Sequence, residues 1–101
     1  MIANMVQYLT DKYPNVYYKG IRCGAYFPDE WLPIIEELSE KISNELIASD
    51  IKEFSVDQIK EKFGGLRYYV SGSNEKIDQF IIEAENAVYE LEKNIKKGGE
   101  T

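Results

Sequence analysis

Apolar positions fall at helical spacing in several separate stretches of the chain. Ile2, Met5, Val6 and Leu9 predict a short amphipathic helix over residues 2–12. Pro14 pushes residue 13 toward extended geometry and stops that helix. Trp31, Ile34, Ile35, Leu38, Ile42 and Leu46 form a second stripe, with Glu36, Glu37, Glu40 and Lys41 facing out, and predict a helix from Asp29 to about Ala48. Asp29 suits the N-cap, and Glu30 suits the positive end of the helix dipole. Pro33 falls in the first turn, where its missing N–H has no intrahelical partner to lose. Ile77, Phe80, Ile81, Ala84, Val88 and Leu91 predict the last helix, capped by Ser73 or Asn74, with Lys93, Lys96 and Lys97 at its negative end.

Two stretches lack this period. Residues 13–28, YPNVYYKGIRCGAYFP, read as a connector lying across the core, with Val16–Tyr18 or Ile21–Cys23 able to form a short edge strand. Residues 53–63 carry two readings. As a helix, Ser55 caps it, Val56, Ile59 and Phe63 share a face, and Gly64 closes it. As a strand, it turns through a two-residue Gly64-Gly65 loop into the strand Leu66–Val70, placing Phe63 opposite Leu66 and Glu61 opposite Tyr68. The hairpin is favoured, because a lone strand leaves its backbone groups unpaired. The expected fold class is therefore α+β: two long amphipathic helices packed on a short antiparallel hairpin or small sheet, plus a short N-terminal helix. Residues 1–97 make a single compact domain and 98–101 a frayed tail.

Composition narrows what such a domain does. At 101 residues there is material for one core. No apolar run is long enough to cross a bilayer, and the N-terminus lacks the basic and apolar regions of a secretory signal. Cys23 is the only cysteine and there is no histidine, so an internal disulfide, a zinc cluster and the commonest general base at neutral pH are all absent. No catalytic residues, cofactor or metal are expected; the chain reads as a cytoplasmic protein rather than an enzyme. The net charge of −6 opposes non-specific nucleic-acid binding. That charge is segregated. Residues 29–50 hold seven acids against Lys41, whereas 12–22 hold Lys12, Lys19 and Arg22 with no acid.

The remaining candidate chemistry is binding, centred on QIKEKFGGLRYYV, residues 58–70. Strand alternation puts Lys60, Lys62, Arg67 and Tyr69 on one face of the hairpin, where cations beside aromatic rings can hold a phosphorylated, base-bearing ligand. The bland reading is a solvated sheet face whose lysine stems cover tyrosine rings. The candidate ligand-binding set is Lys60, Lys62, Arg67, Tyr69, Tyr68, Arg22, Lys19 and Trp31.

The order YLTDKYPNVYY, Cys23-Gly24, Trp31-Leu-Pro-Ile-Ile-Glu-Glu-Leu and QIKEKFGGLRYYVSG resembles a family of small tailed-phage and prophage proteins with the pattern CGDGW…QVKEKFGGLRFY. The likeness covers residues 8–85, and QIKEKFGGLR is its specific part. The chain departs from that pattern in having CGAYFPDEW, and it lacks the CxxC-type segment of many relatives, so no zinc is expected. The resemblance implies a phage protein acting in an infected bacterial cell, and the expected role is counter-defence. In that role it would sequester a nucleotide-type immune signal, cyclic or ADP-ribose-like, at the basic-aromatic hairpin. The alternatives are an acidic inhibitor docking on a host defence nuclease of CRISPR or other type, or a structural or assembly accessory. A homo-oligomer fits the first and last of these.

Overall fold

The computed structural model describes the backbone of residues 4–99 and the side chains of residues 4–94. The architecture is α+β, with helices on one face of a three-stranded mixed sheet. Helix α1 spans Met5–Lys12, α2 Pro14–Tyr17, strand β1 Ala25–Tyr26, a 3-10 turn Asp29–Trp31, α3 Leu32–Ala48, β2 Ser55–Lys62, β3 Gly65–Ser71 and α4 Glu75–Gly99. The central strand is β2, parallel to β1 and antiparallel to β3.

The helices start where side chains can satisfy their first N–H groups. Asn4 Oδ1 accepts from the Gln7 N–H at 3.0 Å, and Asn74 Oδ1 accepts from Ile77 at 2.8 Å. Asp29 opens the 3-10 turn rather than capping α3, whose entry is shaped by Pro33. Asp50, at φ 52°, ends the α3 segment, and the Ile51 N–H returns to the Leu46 carbonyl at 2.9 Å. The last helix includes Gly98 and Gly99, which the sequence pattern assigns to a frayed tail; the rest of that tail, 100–101, lies outside the described residues, as does Ile2.

The connector is more ordered than its pattern suggests. Val16 and Tyr17 lie on α2, with Pro14 at its first turn, and not on an edge strand. The third strand forms at Ala25–Tyr26, and Ile21 makes only an isolated parallel bridge to Val56. Both segments bury apolar side chains toward the helices, so tertiary packing decides a stretch that has no period of its own.

Residues 55–62 are a strand, which settles the helix-or-strand ambiguity. The helical spacing of Val56 and Ile59 arises from a β-bulge between Val56 and Gln58. The extra residue, Asp57, lets both apolar side chains face the core although they are three apart. The two-residue loop is Phe63-Gly64, not Gly64-Gly65. Lys62 pairs with Gly65, Lys60 with Arg67 and Ile59 with Tyr68. Phe63 and Gly64 have φ 54° and 80°, the positive pair that a type I′ turn requires. The Gly64 N–H donates to the Glu61 carboxylate at 2.8 Å, which favours this turn over the one a Gly-Gly pair suggests. The register differs from expectation by an even step, so between the bulge and the turn every side chain keeps its predicted face.

The inner face carries Val56, Ile59, Leu66 and Tyr68 into one core with Leu9, Tyr17, Trp31, Ile35, Ile42, Ile77 and Val88. A buried hydroxyl chain ties three elements together: Tyr17 Oη lies 2.6 Å from Ser39 Oγ and 2.9 Å from Tyr68 Oη, while Ser39 Oγ donates to the Ile35 carbonyl. Burial pushes the Tyr17 phenol up to about 12 and the Tyr68 phenol well above its ordinary value. At the outer edge of the sheet, the Glu85 carboxylate of α4 lies near the Tyr68 backbone, whose N–H opposes the rise that burial imposes on its carboxyl.

Candidate functional site: the outer face of the sheet

Strand alternation turns Lys60, Lys62, Arg67 and Tyr69 away from the core, as predicted. The parallel pairing adds a residue that sequence reasoning missed. Tyr26 pairs with Lys60, and Lys60 pairs with Arg67, so Tyr26, Lys60 and Arg67 form one row across all three strands. Tyr26 is 70% exposed and Tyr69 43% exposed. Gly24 matters to the first of these: a Cβ there would come within 2.7 Å of the Tyr26 ring, so the ring leans over bare backbone. The only sequence signal for Tyr26 is its place in an aromatic connector, and a two-residue strand carries no pattern to reveal it.

The two lysines of this face have aromatic neighbours. Lys60 Nζ sits 5.9 Å from the Tyr69 ring centroid, and Lys62 Nζ 5.8 Å from that of Phe63. Phe63 is 94% exposed at the turn. Among the described residues, Lys60, Lys62, Arg67 and Arg22 form no ion pair within 4.0 Å. Arg67 donates to the Leu66 carbonyl at 3.2 Å and feels the charge of Glu85, whose own carboxyl is raised mainly by burial.

Two members of the predicted set do not belong to this face. Tyr68 is buried beneath it with its hydroxyl on Tyr17, because even positions of β3 point inward. Trp31 is wholly buried and stacks on Phe27 at a centroid distance of 6.5 Å. Neither ring can meet a ligand without opening the core. Lys19 and Arg22 are exposed at the other end of β2, where they line a cleft with Gly20, Ser55, Val56 and Asp57.

The acids of the helices are disposed differently. Glu36 accepts from Tyr8 Oη and, at 3.1 Å, from Lys12 Nζ. Burial alone would raise the Glu36 carboxyl, but these two bonds outweigh it and leave it below the ordinary range. Glu45 accepts from Ser49 Oγ at 2.5 Å and Asn74 Nδ2 at 2.9 Å, which hold its carboxyl low, with Lys76 at 3.6 Å adding to the effect. Glu83 lies 3.7 Å from Lys41.

No group of three or more His, Cys, Asp or Glu side chains able to hold a metal ion occurs among the described residues. No described helix is long and apolar enough to cross a membrane. Comparison of the chain with protein-family models, with curated proteins and with solved structures finds no match.

Proposed function

We propose that this protein is a non-catalytic binding module that captures a small, phosphorylated, ring-bearing ligand of nucleotide type on the outer face of its sheet. The observation that carries the reading is the Tyr26–Lys60–Arg67 row with Lys62 and Tyr69 beside it. Phosphate oxygens would lie against Lys60 and the forked guanidinium of Arg67, which suits a planar, bidentate contact. The ligand ring would stack on Tyr69 or Tyr26, an interaction of roughly 1–3 kcal/mol per base. The face holds but does not react, since it offers neither a general base nor an activated nucleophile. The resemblance to phage and prophage proteins supplies the biological setting: counter-defence by sequestering a cyclic or ADP-ribose-like immune signal.

Calorimetric titration with AMP, ADP-ribose and cyclic dinucleotides tests this reading. Binding by at least one of them is expected, with loss in Lys60→Ala and Arg67→Ala. A panel without any binding would sink it. The alternative, in which acidic helix faces grip a basic host surface, draws less support. Glu36, Glu45 and Glu83 each already have a cation inside the molecule, which leaves Glu37 and Glu40 as the exposed acids of α3.

A further inference from the structure

At the far end of the outer face from the turn, residues 19–22 and the start of β2 enclose a cleft of about 300 Å³ lined by Lys19, Gly20, Arg22, Ser55, Val56 and Asp57. Asp57 is there because of the bulge, which inserts it beside Ser55 and Ser71. Its carboxylate accepts from Ser71 Oγ at 2.6 Å and lies 3.5 Å from Ser55 Oγ, while its backbone carbonyl accepts from the Cys23 N–H at 2.7 Å. Side chain and backbone are thus held by β3 and by the segment leading into β1. A carboxylate has about four acceptor positions, so the two serines leave capacity unused.

Arg22 faces the same space and makes no ion pair with Asp57 or with any other described residue. Lys19 Nζ lies 4.0 Å from the exposed Glu53 and 5.5 Å from the Tyr18 ring centroid, so no hydrogen-bonded pair holds it. A cation and a carboxylate that line one cleft without closing on each other leave room for something between them. Gly20, at φ +72°, has open space where a Cβ would stand, so a ligand can approach its backbone.

We infer that this cleft is a second ligand site, distinct from the row of Tyr26, Lys60 and Arg67, and that it takes a phosphorylated sugar. Lys19 and Arg22 supply two positive charges for a phosphate monoester dianion. Asp57 accepts only, so it repels a second anionic group and selects hydroxyl donors. The volume lies at the lower end of small-molecule sites, which suits a monosaccharide phosphate and excludes enclosure of a dinucleotide. This inference goes beyond the outer-face reading and stands or falls without it.

Calorimetric titration with ribose 5-phosphate, alongside inorganic phosphate and ribose, provides the test. Ribose 5-phosphate should bind, and Arg22→Ala and Asp57→Asn should each weaken it by about tenfold or more, as expected for charge-assisted contacts. Lys60→Ala and Arg67→Ala should leave it unchanged. Arg22 is exposed, and Asn keeps an acceptor for Ser71, so both cleft variants should retain the wild-type melting curve, checked by circular dichroism. Three results would overturn the inference. One is no binding of ribose 5-phosphate at millimolar concentration. Another is binding of inorganic phosphate as tight as that of the sugar phosphate, which removes any role for Asp57. The last is loss in Lys60→Ala or Arg67→Ala, which assigns the ligand to the outer-face row.

Discussion

The helical layer and the outer face of the sheet treat their charges in opposite ways. On the helices, Glu36, Glu45 and Glu83 are held by Lys12, Lys76 and Lys41, and two of these acids also take hydrogen bonds from neighbouring elements. On the sheet, Lys60 and Lys62 lie over aromatic rings, and neither they nor Arg67 has an ion-pair partner within 4.0 Å among the described residues. The acids of the helices are thus tied to cations of neighbouring segments, whereas the cations of the outer face are not tied to acids by ion pairs.

That contrast can be broken experimentally. The largest effect should come from the buried seam that both layers share. Tyr17→Phe strands the Tyr68 hydroxyl in the core and should lower unfolding free energy by about 1–3 kcal/mol, read by chemical denaturation. A neutral result would mean that the hydroxyl chain does not join the layers.

Glu45 should show the next effect, and only on the acid side. Its folded carboxyl lies below the ordinary value of 4.5, so its contribution is fully present above that value and is lost as pH falls through the lowered one. The melting temperature of the wild type should drop below pH 4.5, and Glu45→Gln should flatten that part of the profile. An unchanged profile would remove Glu45 from the seam.

Phe63 should respond in the other direction. A bulky aromatic at positive φ is locally unfavourable, and Asn-Gly is the preferred pair for this turn. Phe63→Asn should raise stability by about 0.5–1 kcal/mol. If nucleotide binding falls at the same time, the turn carries strain in the service of the outer face; unchanged binding would place the ring outside the site. The smallest effect belongs to the free cations. Lys60→Ala and Arg67→Ala should each alter stability by no more than about 0.5 kcal/mol. A larger cost for either would show that it is structural and would erase the contrast.

Much of this was legible in the sequence, for identifiable reasons. The stripes of α3 and α4 are long enough for their period to be plain, and alternation fixed the two faces of the hairpin. The loop position was misread because Gly64-Gly65 looks like a turn, whereas the Glu61 bond to the Gly64 N–H and two positive φ values place it one residue earlier. Strand and helix could not be separated over 53–63, because the bulge at Asp57 gives Val56 and Ile59 a helical spacing. That Tyr26 lies open on the outer face while Tyr68 and Trp31 are buried was not legible, for a shared reason. An aromatic residue reads alike in sequence whether it is buried or open, and here only the parallel pairing of β1 and the packing of α3 tell them apart.

The Glu85 contact on Tyr68 has a consequence for crowding. An edge strand with free amides is a template on which other chains polymerise. Here a neighbour seeking to extend the sheet at β3 would meet the Glu85 carboxylate beside the Tyr68 backbone, and the opposite edge offers the two residues of β1. Growth of the sheet by a further strand is thus opposed at one edge by charge and at the other by the shortness of β1.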